Sequence, residues 1–309
     1  MTNTGVTMKL VLVTSLKNEG PYVIEWLAFH KSVGFDHVVI FENDSDDFTD
    51  LILKRLDAMG EISFVKNYGF DDNPQSHSYK IFRGMEAYKT ADWVFCIDGD
   101  EFFVPKQHDS VTDFLADRPD ADAIAVNWLN FGSAGQETWA DEMVTRRFRR
   151  CAPFVHQANR FFKSFHRPCD LFKSFGMHRP WPKAPIASFV YPDGTTVDHA
   201  DQMGRPAAVS DALAQRHLVC SLNHYSVKSL QEFDLKKRRG RGAKPGLPYG
   251  KGDKFRKGDT NTEANHDIDR FLDRTAALMA VYLSDPVLAF LHDSSLARHF
   301  TRNAHTLRR

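Results

Sequence analysis

Cysteine is scarce in this 309-residue chain: Cys96, Cys151, Cys169 and Cys220 are all there are, and no two form a C-x-x-C pair. That spacing removes the paired-thiol motifs of metal binding and redox exchange. Cys96 lies inside an apolar, strand-like run, where a buried thiol is the common role, so a reduced compartment is expected. Charge of one sign is also missing. Forty basic residues balance forty acidic ones, and no net field draws the chain to nucleic acid or to a membrane. No segment approaches the roughly 20 apolar residues that span a bilayer, and the N-terminal stretch has no cleavage-type sequence. The expectation is a soluble cytoplasmic protein. Glycine-rich GRGAKPGLPYGKG (240–252) lacks the G-K-[ST] ending of a Walker loop, and no internal repeat occurs.

What is present is ordinary globular composition, 42% hydrophobic and 26% charged, enough for one large domain or two small ones. The first hundred residues alternate short apolar runs with longer helical periods. KLVLVTS (9–15), HVVIF (37–41), ISFVK (62–66) and WVFCI (93–97) read as strands buried on both faces. Between the first two, Pro21 suits a first helical position and Gly34 a C-terminal cap. TDLILKRLDAMG (49–60) and PQSHSYKIFRGMEAYKT (74–90) read as further helices, the first ending at Gly60. This β-α-β-α-β-α-β order predicts an α/β fold with a Rossmann-like, mostly parallel sheet flanked by helices. Later, AIAVNWLNFG (123–132) and HLVCSLNHYS (217–226) read as strands, and the C-terminal segment as helical with a break near Pro286. The aromatic runs WLAFH, IFRGMEAY and FFV are assigned to packing.

Open parallel sheets bind ligands beyond the C-terminal ends of their strands. The polar clusters SLKNEG, ENDSDD and DGDE follow the first, second and fourth strands, so three separated segments could meet at one crevice. In VFCIDGDEFF (94–103), Asp98, Asp100 and Glu101 stand between two apolar runs, an expensive place to collect negative charge. Hard divalent cations favour such oxygen donors, with phosphate oxygens of a substrate completing the shell. Gly99 would let the backbone turn, with Asp100 facing the crevice and Glu101 the protein. A solvated turn is the plainer reading of the same residues. Residues 146–181 interleave basic and aromatic side chains, which suits an anionic or sugar-bearing ligand or, equally, an amphipathic packing surface. From Lys236 to Lys257 there are ten Lys or Arg against Asp253 alone, which reads as a locally cationic and mobile segment, within which glycine-rich 240–252 reads as a flexible lid or a solvated tail.

KNEGPYVIEWLAFHKSVGFDHVVIFENDSDD, WVFCIDGDEFF, NWLNFGSAG and NHYSVKSLQEFDLKKRRG, in that order over roughly residues 9–240, resemble the GT-A type nucleotide-sugar glycosyltransferases, in the group related to families 2 and 92. The resemblance implies transfer of a sugar from a nucleotide-diphosphate donor, usually a UDP-sugar, to a hydroxyl acceptor such as a glycan or lipid-linked glycan, with Mn²⁺ or Mg²⁺. It implies metal contacts from Asp98, Asp100 and His224, and donor contacts from Lys17, Asn18, Glu19, Asn43 or Asp44, Asp98 and Lys228. ENDSDD stands where family 2 has DDGSTD, which leaves open whether Asn43 or Asp44 meets the base. An inverting reaction needs a carboxylate base. Glu137 and Asp170 are the candidates, and each also reads as an ordinary surface carboxylate. His224 has the alternative of a hydrogen-bonded strand-end histidine, and His178 reads as structural. The expected organisation is a donor half (1–105), an acceptor half (106–235) and a basic, flexible segment with helices (236–309). The other reading is a turnover-free relative that holds an anionic glycan, or a membrane surface through residues 236–257. A phosphatase of the D-x-D-x-T kind fails because Glu101-Phe102 follows the second aspartate.

Overall fold

The computed structural model describes residues 8–69, 73–204, 211–239 and 254–304. The four apolar runs form β1 (Leu10–Leu16), β2 (His37–Glu42), β3 (Ser63–Lys66) and β4 (Trp93–Cys96). Between them run α1 (Val23–Ser32), α2 (Thr49–Ala58) and α3 (Pro74–Gly84). The strands are continuously apolar because both faces are covered. Leu10 and Leu12 of β1 enter one cluster with Trp26 and Leu27 of α1, while Val11 and Val13 enter another with Tyr79 and Phe82 of α3.

Local signals act where they stand in the sequence. Gly34 (φ 105°) and Gly60 (φ 81°) take the left-handed conformation that ends α1 and α2. Asn73 caps α3 by accepting from the Ser76 N–H at 3.0 Å, with Pro74 in the first turn. The third helical stretch is interrupted at Met85, whose extended backbone separates α3 from a single turn at Glu86–Lys89.

Five more strands extend the sheet: β5 (Glu101–Pro105), β6 (Ala123–Asn130), β7 (Phe162–His166), β8 (Phe189–Val190) and β9 (Cys220–His224). The nine strands run in the order β3-β2-β1-β4-β7-β6-β9-β5, with β8 also on β6. Parallel pairings predominate, joining β1 to β2 and β4, β2 to β3, and β6 to β8 and β9. The expected mostly parallel α/β sheet is therefore present. Antiparallel β7 is inserted between β4 and β6. Because it opposes both, β6 runs in the direction of β4, and the C-terminal ends of β1, β2, β4, β6 and β9 all lie at one end of the sheet.

In the predicted strand at 217–226, His217 to Val219 instead complete α4 (Ala212–Val219), and the strand starts at Cys220. Three longer helices follow, α5 (Leu230–Arg239), α6 (Asp269–Leu283) and α7 (Pro286–Ala304), with a short helical segment at Lys254–Gly258 between the first two, and the last two separate just before Pro286 as expected. Phe271 and Leu272 of α6 and Leu288 of α7 enter the same buried cluster as α1. Among the described residues no single helix is long and apolar enough to cross a membrane, and the four cysteines are free thiols. The glycine-rich stretch 240–252, read above as a lid, lies outside the described residues.

Candidate active site

The turn after β4 is pressed against the end of β1. A Cβ on Gly99 would lie 2.6 Å from Leu16 Cδ2, so only glycine lets the Asp98-to-Glu101 corner approach this closely. The three carboxylates then diverge: Asp98 and Glu101 share the Lys163 ammonium, and Asp100 meets Lys236.

Asp98 accepts from Gln75 Nε2 at 2.6 Å and from Lys163 Nζ at 2.9 Å. Burial works to raise its pKa, but the Lys163 ammonium holds it below the ordinary carboxylate value. Glu101 is fully buried: its oxygens accept from the Asp98 N–H at 2.8 Å and from Trp128 Nε1 at 2.7 Å, with Lys163 Nζ at 3.6 Å. Burial pushes its pKa up to about 8. Burial disfavours the Lys163 ammonium too, yet Asp98 and Glu101 leave its pKa raised.

Asp100 faces the other way. Lys236 Nζ of α5 donates to its Oδ2 at 2.5 Å and to the Ser226 carbonyl at 2.9 Å, and His224 Nε2 stands 3.6 Å from Oδ1. Burial opposes ionisation of Asp100, but Lys236, His224 and Lys228 keep its pKa well below the usual range. His224 Nδ1 lies 3.2 Å from Asn130 Oδ1, and the ring packs on Trp128 with centroids 4.4 Å apart. Burial lowers its pKa to about 4, so the imidazole is neutral near pH 7 and keeps a lone pair.

A cavity of about 440 Å³ is lined by Asn18, Glu19, Asp46, Lys228, Lys236 and Arg239 among others, and Lys236 links it to Asp100. Asn18 (φ 55°) fastens the loop after β1 to the loop after β2: its Nδ2 donates to Asp46 Oδ1 at 2.8 Å and its Oδ1 accepts from the Asp46 N–H at 3.0 Å. Arg239 reaches across from α5 to the Lys17 carbonyl at 2.7 Å and to the Glu19 carboxylate. Lys228 (φ 52°) is buried over the Tyr22 ring at 4.3 Å, and burial lowers its pKa.

The structure thus brings Asn18, Glu19 and Lys228 to one cavity, with the Lys17 carbonyl tied to its Arg239, and it pairs Asp100 with His224. Asp98 feels the charge of Asp100 and acts on His224, but both of its oxygens are engaged by Gln75 and Lys163. Among the described residues no three acidic, histidine or cysteine side chains converge as a metal cluster. Asp100 and neutral His224 nevertheless suit a hard or borderline cation, and the Lys236 ammonium stands as a cation on that carboxylate.

Asn43 is committed internally. Its Nδ2 donates to Ser15 Oγ at 2.8 Å and to the Leu16 carbonyl at 3.0 Å, and its Oδ1 accepts from Asn67 at 2.6 Å. Asp44 is exposed, 3.5 Å from Lys66. Glu137 is exposed on the loop after β6, at the ligand-facing end of the sheet. Asp170 is a correction: antiparallel β7 ends at His166 beside the starts of β4 and β6, so the chain carries Asp170 to the opposite end of the sheet. His178 packs against Trp128, and burial lowers its pKa to about 4.

The neutralising residues were the ones missed. Lys163 shares a strand face with buried Phe165 inside the basic and aromatic segment, and period-two alternation is the only signal it offers. Lys236 opens the basic run, where nothing in the sequence separates it from its neighbours.

The family profile described as Glycosyltransferase family 92 matches residues 17–200, more than half of the chain. A glycosyltransferase family 92 protein of Ricinus communis is 32% identical over 103 residues, covering 31% of this chain and 17% of the relative. One from Oryza sativa subsp. japonica is 23% identical over 154 residues, covering 48% and 26% respectively. The chain therefore matches well under a third of the length of these relatives. Among solved structures, S. aureus TarS 1–349 aligns over 97% of this chain and 92% of its own at 12% identity and a TM-score of 0.37. Glucosyl-3-phosphoglycerate synthase from Mycobacterium tuberculosis, in complex with Mn²⁺, UDP-glucose and phosphoglyceric acid, aligns over 38% and 43% at 14% identity and a TM-score of 0.28.

Proposed function

The chain belongs to glycosyltransferase family 92, and from that premise we propose that it transfers a sugar from a nucleotide-diphosphate donor, a UDP-sugar, to a hydroxyl acceptor with the help of Mn²⁺ or Mg²⁺. One observation carries the reading: the strand-end loops of β1 and β2, together with α5, line a cavity of about 440 Å³ whose Lys236 reaches Asp100 of the buried Asp100–His224 pair.

In this reading the donor diphosphate lies in the cavity, where Lys228, Lys236 and Arg239 offset its charge. Asp100 and neutral His224 would hold the cation, which supplies electrostatic stabilisation of the departing nucleoside diphosphate. Asn18 fixes the loops that border the donor, and Gly99 keeps Asp100 against them. The acceptor oxygen bonds to the anomeric carbon as the bond from that carbon to the diphosphate oxygen breaks, and the hydroxyl proton passes to a base. Glu137, on the acceptor-side loop after β6, is the candidate base. Glu101 and Lys163 act from beneath, fixing Asp98 and the indole of Trp128.

A second reading has its own support. Lys163 and Lys236 already satisfy Asp98 and Asp100, as expected of a protein that keeps the fold and binds an anionic glycan without turnover. Calorimetry and thermal shift with UDP, GDP and their sugar conjugates, each with and without Mn²⁺, on wild type and Asp100→Ala, separate the two. The transferase reading expects Mn²⁺-dependent stabilisation by one nucleotide, lost in Asp100→Ala. Absence of any nucleotide-dependent shift under every metal condition sinks it.

A further inference from the structure

Helix α5 lays two cations across the candidate site. Lys236 and Arg239, three residues apart on one face of the helix, engage Asp100 and Glu19 at the ends of β4 and β1. The rest of α5 is fixed independently of these contacts. Its first turn carries Glu232, buried and bonded to Arg147 at 2.6 Å, to the Tyr22 hydroxyl at 3.0 Å and to the Ser229 N–H at 3.1 Å. The helix is therefore pinned at its N-terminal end, with its two cations directed into the carboxylates from the other end.

We propose that Lys236 is a built-in counter-cation that competes with the divalent metal for Asp100, so that metal binds weakly until an anionic donor draws the lysine away. This rests on the transferase reading of the same site. The geometry requires the competition. Lys236 Nζ lies 2.5 Å from Asp100 Oδ2, the carboxylate is under a tenth exposed, and His224 Nε2 stands 3.6 Å from the other oxygen. A cation ligated by Asp100 and His224 at about 2.0–2.2 Å would sit within the reach of Lys236, where two unscreened positive charges repel. A donor diphosphate in the adjoining cavity offers Lys236 and Arg239 replacement anions, so nucleotide and metal bind in synergy and each alone binds poorly. The Ser226 carbonyl, 2.9 Å from Nζ, holds the ammonium close to the site while it exchanges carboxylate for phosphate.

Mn²⁺ binding measured by calorimetry and by the electron-spin-resonance signal of free Mn²⁺, without nucleotide and with saturating UDP, tests this on wild type, Lys236→Met, Lys236→Arg and Asp100→Asn. Expected is a gain in Mn²⁺ affinity of about tenfold or more in Lys236→Met without nucleotide, with Lys236→Arg staying close to wild type. The synergy between UDP and Mn²⁺ shrinks in Lys236→Met by the same factor. Unchanged or weaker Mn²⁺ binding by Lys236→Met, while Asp100→Asn abolishes binding, overturns the competition and leaves the transferase reading intact. Mn²⁺ that binds none of the four proteins, even with UDP, overturns both.

Discussion

Loss of the Arg147–Glu232 pair should destabilise the whole fold, because it is a deeply buried, doubly bonded ion pair beside the site. Arg147 Nη2 and Nη1 lie 2.6 and 3.1 Å from the two Glu232 oxygens, and the side chains are 1% and 2% exposed. Removing one member of such a pair costs about 3–5 kcal/mol, because the other charge is left buried and uncompensated. In Arg147→Met the Glu232 carboxylate keeps three donors, the Tyr22 hydroxyl and the Ser229 N–H and O–H, so the loss should sit near the lower end, about 3 kcal/mol. In Glu232→Leu the guanidinium keeps Gln136 Oε1 at 3.3 Å and Tyr22 keeps only His299 Nε2 at 3.3 Å, while Ser229 loses its carboxylate acceptor, which points to the upper end, about 5 kcal/mol. The double variant buries neither charge and should cost about 2–3 kcal/mol less than the two singles combined. Urea unfolding of all four proteins at pH 7 reads these differences. The Glu232 pKa is depressed by Arg147 and its donors against the opposing pull of burial. Its contribution is therefore present above the unfolded value of about 4.3 and is lost as pH falls through the folded value. Without Arg147 that depression weakens, and the deficit of Arg147→Met should narrow as pH drops. Singles costing under about 1 kcal/mol, or strict additivity to within about 0.5 kcal/mol, would refute the reasoning.

Other expectations follow from the same contacts. Gly99→Ala forces a Cβ to within 2.6 Å of Leu16 Cδ2 and should cost about 1–3 kcal/mol, read as a fall in Tm; an unshifted Tm would mean that the corner has slack. Buried His30, His166 and His217 each have pKa values lowered by burial to about 3, so the unfolded chain binds more protons than the folded one below about pH 6.5. These three groups by themselves make stability fall by up to about 4 kcal/mol per pH unit near pH 5, and His217→Leu should lower the measured slope there by about 1.4 kcal/mol per pH unit, as urea midpoints across pH 4.5–7.5 would report. Lys163→Met leaves Asp98 and Glu101 without their shared cation. It should destabilise more at pH 8 than at pH 5.5, since protonation relieves the carboxylates, and equal losses at both pH values would contradict their coupling through Lys163.

The sequence alone was enough for the β-α-β frame, because continuous apolar runs and glycine or proline punctuation are local consequences of burial and backbone geometry. It was enough as well to bring the loops after β1, β2 and β4 to one end, since right-handed parallel crossovers leave few alternatives. Tertiary structure decided what those loops face. Lys163 reaches Asp98 from 65 residues away because antiparallel β7 slots between β4 and β6, and Lys236 reaches Asp100 from 136 residues away because buried Glu232 pins α5. No local pattern encodes either pairing. The same insertion of β7 sends Asp170 to the far end of the sheet, while internal hydrogen bonds consume the amide of Asn43. Residue types and motif order follow from short-range rules, whereas the partner of a buried charge is fixed by long-range strand pairing and helix docking, which only the folded chain specifies.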